Sequence, residues 1–135
     1  MQGDNEYLSK NFKRDEFRCF CGCGFSAISP KLITLLQTIR SYTGQPMTVL
    51  SGCRCEDHNR AVGGVRDSQH LYGRAADIYV PMGAAEFFRV VEKLYEMKAI
   101  PALGHAQLYL RQNFVHLDVR ANKTKTVEAW KKGVV

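Results

Sequence analysis

No stretch of this chain approaches the roughly 18 consecutive apolar residues of a membrane-spanning helix, so a membrane span is not expected. The opening residues, Met1 to Glu6, lack the basic region and apolar run of a secretory signal, and synthesis in the cytoplasm is the expectation. Tandem repeats, low-complexity tracts and Gly- or Pro-rich linkers are missing too, which argues against solenoids and tethered modules. Acidic residues are the minority: 19 Lys and Arg stand against 13 Asp and Glu, for a net charge of +6. That excess favours anionic partners. The basic residues are scattered, however, without the aromatic-interleaved runs of a nucleic-acid surface, so nucleic acid is not an expected partner.

What remains is a chain of 135 residues, 45% hydrophobic and 24% charged, enough for one sizeable core. A single domain over residues 1–135 is expected, monomeric, with residues 1–28 as an arm and Cys-rich loop packed on it. Cysteine is the over-used residue. Cys19, Cys21 and Cys23 alternate in one segment and Cys53 and Cys55 in another, and five cysteines leave at least one unpaired in a monomer. Disulfides between the two segments, a second metal site made of thiolates, and free thiols are all open readings, although Cys-x-Cys is not the usual zinc spacing. In each of them Cys53 and Cys55 flank Arg54, so a clamp from the 19–23 loop would hold the Arg54 turn.

Periodicity places the elements. Ser29-Pro30 starts a helix, with Ser as cap and Pro at the first helical position; Leu32, Leu35, Leu36, Ile39 and Tyr42 follow at helical spacing up to Gly44. Met47 to Leu50 predicts a strand that delivers Ser51 and Arg54 at its end, and Glu56 to Val62 a short helix containing His58 and Asn59. Arg74 to Val80 predicts a strand with Asp77 and Tyr79 on one face. Ala84 to Lys98 predicts an amphipathic helix burying Phe87, Phe88, Val91, Leu94 and Tyr95. His105 to Arg111 and Phe114 to Arg120 alternate as a hairpin about Gln112-Asn113. Its expected register sets Tyr109 opposite His116 and Gln107 opposite Asp118, with Ala106, Leu108 and Leu110 in one core row. The fold class is α+β: a small, mainly antiparallel sheet with two or three helices packed on it.

Two pieces of chain carry metal-binding residue types. His70 and Asp77 lie at a fixed spacing with Gly73, Ala75 and Ala76 leaving room between them, and His116 sits on the last strand. A carboxylate in an apolar strand is costly without a cation, which sets Asp77 apart. His, Asp and His make three ligands, one short of a closed tetrahedral zinc site, and the open position suits a catalytic zinc. A satisfied buried His–Asp pair is the plainer alternative for His116 and Asp118.

The string Ser51-Gly52-Cys53-Arg54-Cys55, His58-Asn59, Val62-Gly63-Gly64 and Ser68-Gln69-His70-Leu71-Tyr72-Gly73-Arg74-Ala75-Ala76-Asp77-Ile78, followed by Phe114-Val115-His116-Leu117-Asp118-Val119-Arg120, resembles the zinc D-Ala-D-Ala carboxypeptidases. More broadly it is similar to the LAS metallopeptidases, which cut peptidoglycan stem peptides and share their fold with the hedgehog signalling domain. The resemblance spans about residues 8–130. It implies one catalytic zinc held by His70, Asp77 and His116, peptidoglycan peptides as substrate, and Arg54 steering a substrate carboxylate or carbonyl. Ser68, Gln69 and Tyr109 are expected to contact substrate beside it. Many relatives carry the general base as an acid three residues before the last ligand, or a His two before it. Those positions hold Asn113 and Phe114, so the expected base is Asp118, with a role in holding another side chain as its alternative. Without a visible signal, release of a phage or prophage lysis enzyme to the bacterial cell wall is the expected route. A zinc-stabilised binding module that has lost catalysis is the competing function.

Overall fold

The computed structural model describes residues 6–121; the first residues of the expected arm and the end of the stretch covered by the resemblance lie outside them. Four strands, β1 (Thr48–Ser51), β2 (Ala75–Tyr79), β3 (His105–Tyr109) and β4 (Phe114–Asp118), form one antiparallel sheet in the order β1-β2-β4-β3. Among the described residues three α-helices accompany it: α1 (Pro30–Thr43), α2 (Glu56–Ala61) and α3 (Ala84–Glu96). The architecture is therefore α+β, as the periodicity indicates.

Strand alternation divides the sheet into two faces. Ala76, Ile78, Ala106, Leu108, Val115 and Leu117 belong to the buried core with Leu32, Leu36 and Ile39 of α1 and Phe87 and Val91 of α3. The opposite parity carries Asp77, His105, Gln107, Tyr109, His116 and Asp118. One face builds the core, the other builds the site.

α1 opens with Pro30 at its first position and stops at Gly44, but the Ser29 hydroxyl makes no capping bond. The helix start needs less capping than expected, because Pro has no N–H to leave unsatisfied. Tyr42, expected in the apolar stripe, is exposed in the last turn, and the stripe ends at Ile39. The arm is anchored by Phe12 and Phe17, both fully buried, each contributing on the order of 2–3 kcal/mol by removal from water. Phe17 closes a 3-10 turn over Arg14–Phe17 and lies against the turn after β1. A Cβ on Gly52 would sit 2.8 Å from the Phe17 Cα, so only glycine permits that approach. The Cys53 amide donates to the Phe17 carbonyl at 2.9 Å and completes the seam.

The hairpin differs from its expected register. Tyr109 pairs with Phe114, Gln107 with His116 and His105 with Asp118, a shift of two residues. Gln112-Asn113 is a poor two-residue hairpin loop, and the chain instead spends Leu110 to Asn113 on the turn, with Asn113 in the left-handed region at φ 61°. A shift of two preserves the faces, so the site residues stay together. Leu110 is the casualty: it leaves the core row and is 53% exposed.

Candidate metal centre

Each of the three candidate ligands comes from a different local device. His70 sits in a 3-10 turn, Gln69–Tyr72, whose cap is Ser68: the Ser68 hydroxyl accepts from the His70 amide at 3.2 Å. The turn is pinned against α1, because the Ser29 amide donates to the Gly73 carbonyl and a Cβ on Gly73 would strike the Ala27 carbonyl. Asp77 and His116 face each other as a pair across β2 and β4, the two inner strands. Their donor atoms meet: Asp77 Oδ1 lies 3.0 Å from His116 Nδ1 and 3.3 Å from His70 Nε2. All three ligand atoms fall within 4.8 Å of one another.

The groups behind the imidazoles decide what those atoms are. His70 Nδ1 lies 2.6 Å from the Gly52 carbonyl, which only accepts, so Nδ1 donates and Nε2 turns its lone pair towards Asp77. His116 Nε2 lies 2.7 Å from Asp118 Oδ2. Asp118 is fully buried and gripped by the Arg120 guanidinium, Nε to Oδ1 at 2.9 Å and Nη2 to Oδ2 at 2.6 Å. An ionised Asp118 makes His116 Nε2 a donor, and Nδ1 then presents its lone pair to Asp77. Three acceptors converge with no proton of their own to share. A cation among them would satisfy all three.

The electrostatics say the same. Burial alone would raise Asp77, but the imidazoles of His116 and His70 beside it outweigh that and hold the carboxyl well below the usual range. Burial alone would lower His116, but Asp118 and Asp77 outweigh it and push its pKa up to about 9. Burial is likewise overcome at Asp118, held at about 2 by His116 and Arg120. Without a metal, a proton on His116 occupies the place of the cation. For N and O ligands about 2.0–2.1 Å from zinc, a tetrahedron sets ligand atoms about 3.3 Å apart, and the Asp77 contacts match that spacing. The residues fit the ion.

The centre floors a cavity of ≈ 530 Å³. Arg54, Ser68, Gln69 and Tyr109, all expected near substrate, line it together with His105, Gln107 and Arg120. Arg54 spends three N–H groups on the protein, to Ser51 Oγ at 3.1 Å, Asn59 Oδ1 at 3.1 Å and Asp77 Oδ2 at 3.4 Å. A guanidinium has five, so two are uncommitted among the described residues, on a side chain that lines the cavity. The Arg54 amide also donates to the His70 carbonyl at 3.0 Å, coupling the Arg turn to the ligand turn. Tyr109 stacks on Phe114 at 4.5 Å, and burial, then the Asp77 charge, raises its pKa. Gln69 Oε1 is a buried acceptor with no partner among the described residues. Asn113, at a position where relatives carry an acid, instead accepts the first amide of α3, Ala84, at 2.7 Å.

Sequence reasoning passed over three contributors: Arg120, Asn59 and the Gly52 carbonyl. Arg120 had a signal, since strand parity puts it on the face of His116 and Asp118. The Gly52 carbonyl had none, because a backbone acceptor carries no residue code.

Three ligand-type side chains from three elements, lying together at the floor of a cavity, form a site that could hold one metal ion and leave a coordination position open. The chain belongs to the Peptidase M15 family of zinc metallopeptidases, whose model matches residues 10–118. No curated protein matches it. Among the described residues no helix is long and apolar enough to cross a membrane.

Proposed function

We propose that this metallopeptidase hydrolyses peptidoglycan stem or cross-link peptides of the D,D type, with His70, Asp77 and His116 holding one catalytic zinc. The observation that supports the metal assignment is the convergence of His70 Nε2, Asp77 Oδ1 and His116 Nδ1, all within 4.8 Å of one another. A zinc ion there supplies a Lewis acid that polarises a peptide carbonyl and acidifies water. Arg54 orients the substrate: its two uncommitted N–H groups offer a fork to a carboxylate, such as that of a terminal D-Ala. Gln69 and Ser68 line the cavity beside Arg54, and Tyr109 forms an apolar wall with Phe114.

We assign Asp118 a different task from the expected base. Its two oxygens are taken by His116 and Arg120, and it is fully buried, so it orients His116 and has no opening towards substrate. His105 takes the proton in this reading. It lines the cavity, its ring centroid lies 6.0 Å from that of His116, and burial lowers its pKa, which keeps it neutral and able to accept. The diffuse charge of +6 suits a polyanionic wall. Delivery to that wall as a phage or prophage lysis enzyme remains part of the proposal.

The test is digestion of purified peptidoglycan and of synthetic stem peptides by the zinc-loaded chain, with fragments read by mass spectrometry. Loss of terminal D-Ala or opening of D,D cross-links is expected, and His116→Ala abolishes it. A wild type that binds zinc at this centre but cuts no stem peptide would instead be the zinc-stabilised binding module.

A further inference from the structure

The peptidase reading leaves the cysteines unexplained, and the structure sorts them. All five are free thiols. Cys53 is 1% exposed and belongs to the hydrophobic core. The other four, Cys19, Cys21, Cys23 and Cys55, bring their sulfurs within 4.8 Å of one another on the far side of the Arg54 turn. Two residues apart in sequence, Cys53 and Cys55 thus point into different surroundings, and the odd count resolves as four plus one.

From this geometry we infer a second metal site, a structural zinc held by Cys19, Cys21, Cys23 and Cys55. The spacing carries the inference. Zinc–sulfur bonds of about 2.3 Å in a tetrahedron put sulfurs about 3.8 Å apart. Cys19 and Cys21 are 3.4 Å apart, Cys21 and Cys55 3.6 Å, and Cys19 and Cys55 3.9 Å. Three thiols stand in a near-equilateral triangle, with the fourth beside it. A disulfide would draw one pair together and release the rest; here no pair is singled out. Four soft sulfurs without a nitrogen or oxygen ligand select zinc over the hard cations.

The backbone is arranged for thiolates. The Cys55 amide donates to Cys19 Sγ and the His58 amide to Cys55 Sγ, both at 3.4 Å, so two sulfurs already receive N–H groups as metal-bound thiolates do. Gly22 and Gly24, at φ 87° and 91°, let the loop reverse tightly enough for alternate residues to face one point. The Cys19 amide to the Phe25 carbonyl at 2.7 Å and the Gly22 amide to the Cys19 carbonyl at 3.2 Å close that turn. Four ligands fill a tetrahedron and leave no place for water, so the site is structural rather than catalytic. Its effect is mechanical: it staples the 19–23 loop to the residue next to Arg54, whose guanidinium reaches Asp77 at 3.4 Å.

The experiment is a metal count on the full chain purified under reducing conditions without chelator. About two zinc equivalents per chain are expected, with closed tetrahedral thiolate binding at one of them. Cys21→Ser combined with Cys23→Ser lowers the count by one, His116→Ala lowers it by the other one, and Cys53→Ala leaves both in place. Cobalt substitution of the wild type needs no variant to fold: it gives a thiolate-to-cobalt charge-transfer band that persists in His116→Ala. The site is overturned if the wild type binds only the zinc that His116→Ala removes, or if iron fills the cluster. Disulfides among the four cysteines in freshly reduced and re-equilibrated protein would also overturn it. Because the two variants remove different ions, failure here leaves the peptidase centre standing, and the reverse holds too.

Discussion

Two clusters of ligand-type side chains lie on either side of the Arg54 turn, and they are built on opposite plans. The His70–Asp77–His116 centre draws two of its three members from paired inner strands, and its imidazoles are locked by Gly52 and by Asp118 with Arg120. The thiol cluster draws three of its four members from one glycine-rich loop, with Cys21 and Cys23 exposed. A centre framed by a sheet keeps its geometry with or without its ion. A centre framed by a loop needs the ion to be a frame at all. The first arrangement suits chemistry that needs an open, prearranged site; the second suits a staple.

The largest expected effect separates the two by function. His116→Ala should bring peptide hydrolysis to background while circular dichroism shows the fold intact; the Cys21→Ser, Cys23→Ser pair should keep turnover measurable but lower the Tm, on the order of 5–10 °C. Unfolding of His116→Ala on the scale of the cysteine pair would erase the distinction between frame and staple.

A smaller effect concerns what stands behind His116. Asp118→Asn removes the charge that fixes the His116 tautomer, so zinc affinity should fall about 10–100-fold, read by competition with a chromophoric chelator. Arg120→Ala should move affinity in the same direction by less. If Asp118→Asn keeps full zinc affinity and loses only turnover, Asp118 is the base after all and His105 is not. His105→Ala is the complementary arm: zinc stays, and turnover falls by about 10²–10⁴-fold.

The pH dependence of the zinc-free protein is subtler. His116 has its pKa raised from 6.5 to about 9 by the two carboxylates, so the folded state holds that proton more tightly than the unfolded chain. The stabilisation is complete below 6.5 and is lost as pH rises through about 9. Urea titrations of chelated wild type and His116→Gln should therefore converge in stability over that interval. A constant gap between them would mean the His116 proton is not shared with Asp77 and Asp118.

The smallest effect tests the hairpin. Leu110→Ser should cost less than about 0.5 kcal/mol, because the residue has left the core for the turn. A loss of several kcal/mol by chemical denaturation would restore the tighter register.

These contrasts also explain what could be read without coordinates. Asp77 and His116 stood out because polar residues at strand parity in apolar surroundings call for a partner; His70, in a 3-10 turn, was legible from the family motif. The four-strand α+β plan was legible from alternation and helical spacing. The hairpin register was not, because a shift of two residues leaves every face unchanged, and only the turn chemistry of Asn113 distinguishes the two. Asp118 looked like a free acid on the site face; that Arg120 folds back over it depends on a rotamer that parity does not encode. The cysteines were legible as a group but not as four plus one, since alternation would set Cys53 and Cys55 on one side and gives no sign that they part, Cys53 into the core and Cys55 into the thiol cluster.

One property of the sheet bears on how long a metal would stay. Asp77 and His116 oppose each other on β2 and β4, the only strand pair in this sheet with a neighbour on both sides. Breathing of the molecule begins at edges, so β1 and β3 can peel away while these two residues remain face to face. Their backbone amides should exchange with deuterium at the pace of global unfolding, well behind those of the outer strands. The frame of the centre then lasts as long as the whole fold, so an ion that leaves through the cavity finds the same two strand ligands in place when it returns.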